Sequence, residues 1–317
     1  MRAIESNRLF ALAQNVMRLE DLRPVLAALR ARKIEPIALK GLALLSTVYA
    51  SDPGARTMSD LDLLIEEENL TAAEEVLLAL GYARVPHHQH TFQGGRGPTR
   101  IDLTAEIWYL DSKELASFRE RALSVEHDRI RLRIPSSEDH FLFISTHAVV
   151  MHGHMRPAWK EDLRRIAALE PDWGAIATRA RRAGLTIPLS LAIERVFGDD
   201  PAAAGVRIPE VVTQGASLRG LDRLCAAFIR QVLERPETHE TGHLLRFLFR
   251  GGPMGKCGAI LRHLFPGIEF IKRRYGARTT TGAIAQGAWR PVSTMVHVSG
   301  YALRTIALPR KKRGELS

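Results

Sequence analysis

The sequence predicts an α+β protein, with strands and helices mixed to about residue 135 and an all-helical remainder. Three observations predict it. Up to Pro135, short apolar runs alternate with segments whose apolar residues recur every three or four positions. Beyond Pro135 the three- and four-residue spacing persists alone. Third, the strand "RTMSDLDLLI", residues 56–65, places two aspartates one residue apart within an otherwise apolar run. Successive strand side chains point to opposite faces, so Asp60 and Asp62 share one face while Leu61, Leu63 and Ile65 share the other.

Each element has its own signal. Residues 3–31 read as a helix, with Leu9, Leu12, Val16, Leu19, Leu22 and Val25 at helical spacing. In "IEPIALKG", Pro36 opens a short strand and Gly41 ends it; "LALLSTVYA" follows as a buried helix closed by the turn "SDPGAR". The aspartate strand runs to Glu66. "NLTAAEEVLLALGY" is a helix with polar caps in front and Gly81 behind. "RIDLTAEIWYL" is a strand with Asp102, Thr104 and Glu106 on one face, and "VEHDRIRLRIP" is a further strand. Ser136 and Ser137 cap the long helix that opens the second domain, and helices continue to about Phe197, interrupted by "RPAW", "EPDW" and "LTIP". "GDDPAAAGVRIP" is a loop, a helix spans roughly 215–234, and two basic amphipathic segments follow. The domain boundaries predicted are therefore 1–135 and 136–317.

Composition narrows the function classes. At 317 residues the chain can bury a substantial core, and 45% hydrophobic with 25% charged residues is ordinary for a globular protein. No apolar run approaches the ~20 residues that span a bilayer, and the start lacks the apolar core of a secretory signal. Cys225 and Cys257 make neither a disulfide framework nor a metal-ligand spacing. These features predict a reduced, cytoplasmic protein. The net charge of +10 is uneven: residues 241–317 hold 14 Lys/Arg against 2 Asp/Glu. That last quarter would meet nucleic acid, an anionic surface or an acidic substrate, or form a solvated basic helix and tail.

The chemistry concentrates upstream. A short strand ends at Lys40-Gly41 and runs directly into a helix, whose first N–H groups would receive a phosphate. Gly41 would let that phosphate approach the backbone. Two carboxylates at the spacing of Asp60 and Asp62 repel unless a cation lies between them, and Asp102 on a later strand would complete a trio of acids. A solvated strand edge is the bland alternative.

This order of glycine turn, Asp-x-Asp strand and third acid resembles the nucleotidyltransferase superfamily typified by DNA polymerase beta. "LKGLALLSTVYASDPGARTMSDLDLLI" is more narrowly similar to a family of uncharacterised bacterial nucleotidyltransferases marked by a Leu-Lys-Gly turn and Arg-x-x-Ser-Asp-x-Asp-Leu-Leu. "LLALGY", "RIDL", "SSEDHFLFISTHAVVMHG" and "WKEDLRRIAAL" extend the likeness over most of the chain. The resemblance implies a polymerase-beta-like core, a small mixed sheet with flanking helices, followed by a helical substrate domain, with nucleotide and acceptor in a cleft between them. It implies two-metal transfer of a nucleotidyl group from an NTP such as ATP to a hydroxyl, with release of pyrophosphate. Asp60, Asp62 and Asp102 would be catalytic and hold two Mg²⁺ ions, whose preference for hard oxygen ligands the three acids satisfy. Lys40, Gly41, Arg56 and Ser59 would bind the nucleotide, with Lys40 or Arg56 on phosphate oxygens. The acceptor would be an antibiotic-like small molecule, a peptide or protein hydroxyl, or an RNA end, and the basic last quarter favours an anionic one.

The chain departs from the wider superfamily in three ways, of which one, a gap from Gly41 to Asp60 longer than in the minimal motif, suits the narrower family. Leu42 follows Gly41 where the superfamily has Gly or Ser, so the usual hydroxyl contact to phosphate is missing. "DLTAE" replaces Asp-Leu-His-Trp around Asp102, leaving Glu106 as a reserve third acid. These departures keep open a catalytically silent module that binds nucleic acid or a protein partner. A nucleotide-sugar glycosyltransferase also uses Asp-x-Asp, but needs several β–α units ahead of it, and only one strand precedes Asp60. The clusters His87, His88, His90 and His147, His152, His154 lack cysteine or carboxylate partners at closed-site spacing. Trp159 with Asp162 reads as packing plus a charge near a helix start.

Overall fold

The computed structural model describes residues 2–86, 88–95, 99–198 and 221–233, with 268, 279–282, 284 and 287–288. His87, the loop from 199 onward, Cys257 and most of the basic last quarter lie outside the described residues. The long first helix α1 (Arg2–Ala31) leads to β1 (Ile37–Ala38), the short α2 (Lys40–Leu45), β2 (Leu61–Leu64) and α3 (Leu70–Ala79). Then come β3 (Ala83–Arg84), β4 (Thr91–Gly94), β5 (Thr99–Thr104), α4 (Ser112–Glu120), β6 (Leu123–His127) and β7 (Ile130–Ile134). Helices follow: α5 (Ser137–Thr146), a π-helical turn (His147–His152), α6 (Pro157–Ala167), α7 (Trp173–Arg182), α8 (Thr186–Phe197) and α9 (Leu221–Leu233). Among the described residues no helix is long and apolar enough to cross a membrane.

The strands form one mixed sheet in the order β3-β4-β5-β2-β1-β7-β6, with helices packed around it. β2 lies centrally, antiparallel to β1 and parallel to β5. Its four residues are all buried, whereas β5 alternates buried and half-buried residues, the period-2 signature of a strand with one open face. The buried stripe of α1 is Ala11, Asn15, Leu19, Leu22, Val25, Leu26 and Leu29. Leu9 and Val16, expected on it, face outward.

Two parts of the sheet differ from the sequence reading. The segment 123–134 is a hairpin rather than one strand, because Asp128 and Arg129 both take positive φ, 48° and 58°, and make the two-residue turn between His127 and Ile130. That turn geometry normally calls for Asn-Gly or Asp-Gly. Here Arg23 of α1 holds it by donating to the Asp128 carbonyl at 2.6 Å and its carboxylate at 3.1 Å. The strand at 100–110 stops at Thr104, where the Thr104 hydroxyl bonds to the Glu106 backbone and turns the chain.

Helix starts follow the capping signals. Asp111 accepts from the Glu114 N–H at 2.9 Å to open α4, and Ser136 Oγ accepts from the Asp139 N–H at 3.3 Å to open α5. Asp139, buried, also takes a two-pronged Arg121 at 2.7 and 3.0 Å and Arg179 at 3.0 Å, tying α4, α5 and α7. The chain divides into two compact units, residues 1–144 with 157–179, and residues 145–156 with 180 onward. In the second, α8 packs on the π-helical turn and on α9, where Arg230 forks onto Glu194 at 2.8 Å per bond.

Candidate active site

Register builds the site. In the parallel pair β2–β5, Asp62 lies directly across from Asp102 on one face of the sheet, and Asp60 precedes Asp62 by two residues on that face. One carboxylate oxygen from each of Asp60, Asp62 and Asp102 lies within 4.8 Å of the others. Glu106 sits past the end of β5, outside this cluster. The donor set is three hard oxygens without imidazole or thiolate, and its spread suits a hexacoordinate Mg²⁺ or two bridged ions.

Antiparallel pairing of β1 with β2 returns Lys40 to Asp62. The Leu39 N–H donates to the Asp62 carbonyl at 3.0 Å, and the Lys40 ammonium donates to Asp62 Oδ1 at 2.6 Å. Lys40 itself, not Gly41, takes the left-handed backbone, with φ 48°. Gly41 is buried against Met58, whose Cγ would lie 3.2 Å from an added Cβ. Burial raises the Asp62 carboxyl and Lys40 opposes it, leaving the group pushed up to about 6. Burial penalises the Lys40 ammonium, but Asp62 first, then Asp60 and Asp102, hold it above its ordinary value.

The other expected ligands are placed differently. The Ser59 hydroxyl donates to Asp60 Oδ1 at 2.8 Å at the open side of the cluster. Arg56, expected on phosphate oxygens, instead forks onto Asp162 of α6, with Nε 2.9 Å from Oδ1 and Nη2 3.0 Å from Oδ2, while Nη1 donates to the Thr57 carbonyl. Tyr49 adds a hydroxyl donor to Asp162 Oδ1 at 2.8 Å. Asp162, read from sequence as a helix-start charge, is thus the buried anchor of the loop before Asp60. A bidentate arginine matches carboxylate geometry as well as it matches phosphate, and the arginine alone does not tell the two apart.

Three further residues border the site without having been marked. Arg100, two before Asp102 on the same face of β5, reaches Asp102 Oδ1 at 3.4 Å and His88 Nδ1 at 3.3 Å. Arg18 of α1 lies in the field of Asp60, and its buried Nε has no hydrogen-bond partner among the described residues. Period-2 spacing from Asp102 would have found Arg100; nothing local distinguishes Arg18. The third is His140 of α5, fully buried near the Lys40 backbone, whose Nε2 has no hydrogen-bond partner among the described residues. Among the histidines marked in the sequence, His90 Nδ1 pairs with the Glu74 carboxylate, and His147 Nε2 with His152 Nε2 at 3.0 Å.

Burial lowers the His140 pKa to about 4 against its ordinary 6.5. As pH falls through 6.5 the unfolded chain takes a proton that the folded chain refuses, so stability is full above 6.5 and is lost progressively down to about 4. Over that window the loss is about 3 kcal/mol. Asp62, with its raised pKa, runs in the opposite sense. The measurement is therefore the difference between wild type and His140→Gln in urea midpoint at pH 7 and pH 4.5. The variant is expected to lose less on acidification, and equal losses would contradict this account.

Residues 1–196 match a family described as uncharacterised nucleotidyltransferase. Among solved structures, that of the antibiotic-resistance factor ANT(2'')-Ia matches at 17% identity with a TM-score of 0.40, covering 55% of this chain and 95% of that chain. No curated protein matches. With well over half its length matched, from α1 through the sheet to α8, the chain belongs to this nucleotidyltransferase family and is an enzyme of nucleotidyl transfer.

Proposed function

We propose that the protein catalyses Mg²⁺-dependent transfer of a nucleoside monophosphate from an NTP, ATP being the first candidate, to an acceptor hydroxyl, with release of pyrophosphate. The observation that carries this reading is the meeting of Asp60, Asp62 and Asp102 within 4.8 Å beside Lys40. The three carboxylates would hold the divalent ions. When bound, Mg²⁺ lowers the pKa of the acceptor hydroxyl and offsets charge on the departing pyrophosphate.

The chain's own groups do the remaining work. Asp102 is the more solvent-accessible of the strand-paired acids, its side chain 29% exposed against 10% for Asp62, and it is the carboxylate that receives the acceptor's proton. Lys40 supplies a mobile point charge for phosphate oxygens, and Ser59 a hydroxyl donor at the open side. Arg18, with its unspent Nε, and Arg100 add positive charge around the acids. Arg56 positions the loop rather than the nucleotide.

The test is incubation with each α-³²P-labelled NTP, Mg²⁺ and a cell extract. Label in an extract component together with released pyrophosphate is expected. With all four NTPs yielding neither above a no-enzyme control, the proposal fails.

A further inference from the structure

We propose that Lys40 competes with the divalent cation for Asp62, so that an ion entering the acid cluster releases the lysine ammonium to the phosphates of the nucleotide. The inference rests on the metal-dependent reading of this same site. The Lys40 ammonium is 2.6 Å from Asp62 Oδ1, on a carboxylate whose side chain is 10% exposed, which leaves little water to screen a second cation on the same group.

Asp60 and Asp102 also act on the ammonium through their charge, after Asp62. The other two acids hold weaker partners. Asp60 accepts from the neutral Ser59 hydroxyl, and Arg100 approaches Asp102 at 3.4 Å, long for a charged bond. Asp62 is accordingly the carboxylate that an incoming cation must win from another cation.

The backbone beneath Lys40 is held firmly. Its φ of 48° directly follows the Leu39–Asp62 backbone bond that pairs β1 with β2. The competitor is therefore the side chain alone, a point charge on a flexible four-carbon stem that can leave without moving the turn. An ammonium released there stays within reach of the acids' own ligands, which makes metal and triphosphate bind with positive coupling.

Mn²⁺ titration of the full chain at pH 7.5, followed by calorimetry and by loss of the free-ion EPR signal, tests the proposal. Wild type, Lys40→Met, Lys40→Gln, Lys40→Arg and Asp62→Asn are compared, with thermal melts to confirm folding. Lys40→Met and Lys40→Gln are expected to bind Mn²⁺ about tenfold more tightly than wild type without nucleotide, a coupling of ordinary size. Lys40→Arg should keep the weaker affinity. Adding α,β-methylene-ATP should tighten Mn²⁺ binding more in wild type than in the two neutral variants. Equal or weaker Mn²⁺ binding by both neutral variants, with binding lost in Asp62→Asn, overturns the competition and leaves the metal site standing. Absence of Mn²⁺ binding in every variant overturns both.

Discussion

Asp62→Asn is expected to lower nucleotidyl transfer by about 10³-fold while changing stability by less than about 1 kcal/mol. The two halves of that expectation have one cause. Asp62 sits on the central strand with burial pushing its carboxyl up to about 6, so its charge is costly to the fold. Asparagine keeps the shape and removes that cost. It also leaves Lys40 without its nearest anion, but the lysine side chain is 31% exposed and Asp60 and Asp102 remain in its field. Catalysis has no such compensation, because a neutral amide oxygen is a poor ligand for Mg²⁺ and the cluster loses its most enclosed anionic donor. Pyrophosphate release from α-labelled NTP and a thermal melt on the same preparation check both halves. Activity within tenfold of wild type would remove Asp62 from the metal site. A melt lowered by many degrees would make the loss of activity a folding effect.

The acid cluster is readable from sequence because its determinants are local. Period-2 alternation puts Asp60 and Asp62 on one face, and a second alternating strand offers Asp102. Only the register, Asp62 opposite Asp102, requires the folded sheet. The left-handed turn at Lys40 is not readable, since the residue that normally signals positive φ stands one position later, at Gly41, and the Leu39–Asp62 backbone bond beside it exists only in the paired sheet. The 123–134 hairpin was hidden for the same reason: Asp128-Arg129 lacks glycine, and its stabiliser is Arg23 on a distant helix. The start of α4, not read as a helix from the sequence, is a different case. Asp111 with Glu114 three residues on is a capping signal in plain view, masked by the apolar run "IWYL" just ahead.

Removing the carboxylate of Asp162 is expected to cost about 3–5 kcal/mol, because it leaves a partly buried guanidinium and a buried hydroxyl without their acceptor. Asp162 is 1% exposed and receives Arg56 and Tyr49, and Arg165 stacks 4.4 Å over the Tyr49 ring. On the other side of the loop, Asn15 of α1 donates to the carbonyls of Pro53 and Arg56 at 2.8 and 2.7 Å. The chain from Asp52 to Asp60 is therefore clamped from both sides, and Asp162→Ala releases one clamp. A fall in melting temperature of about 10 °C follows for a unit of this size, against about 1 kcal/mol for Tyr49→Phe, which removes one neutral donor. Replacing the pair together, Arg56→Met with Asp162→Leu, should cost less than Asp162→Ala alone, since no charge is then stranded. Kinetics separate this clamp from direct nucleotide contact. An arginine on phosphate would, when changed to lysine, raise KM for the NTP and leave the melt unmoved. An arginine that anchors the loop lowers the melt and, by loosening Asp60, lowers kcat, with KM for the nucleotide the least affected of the three.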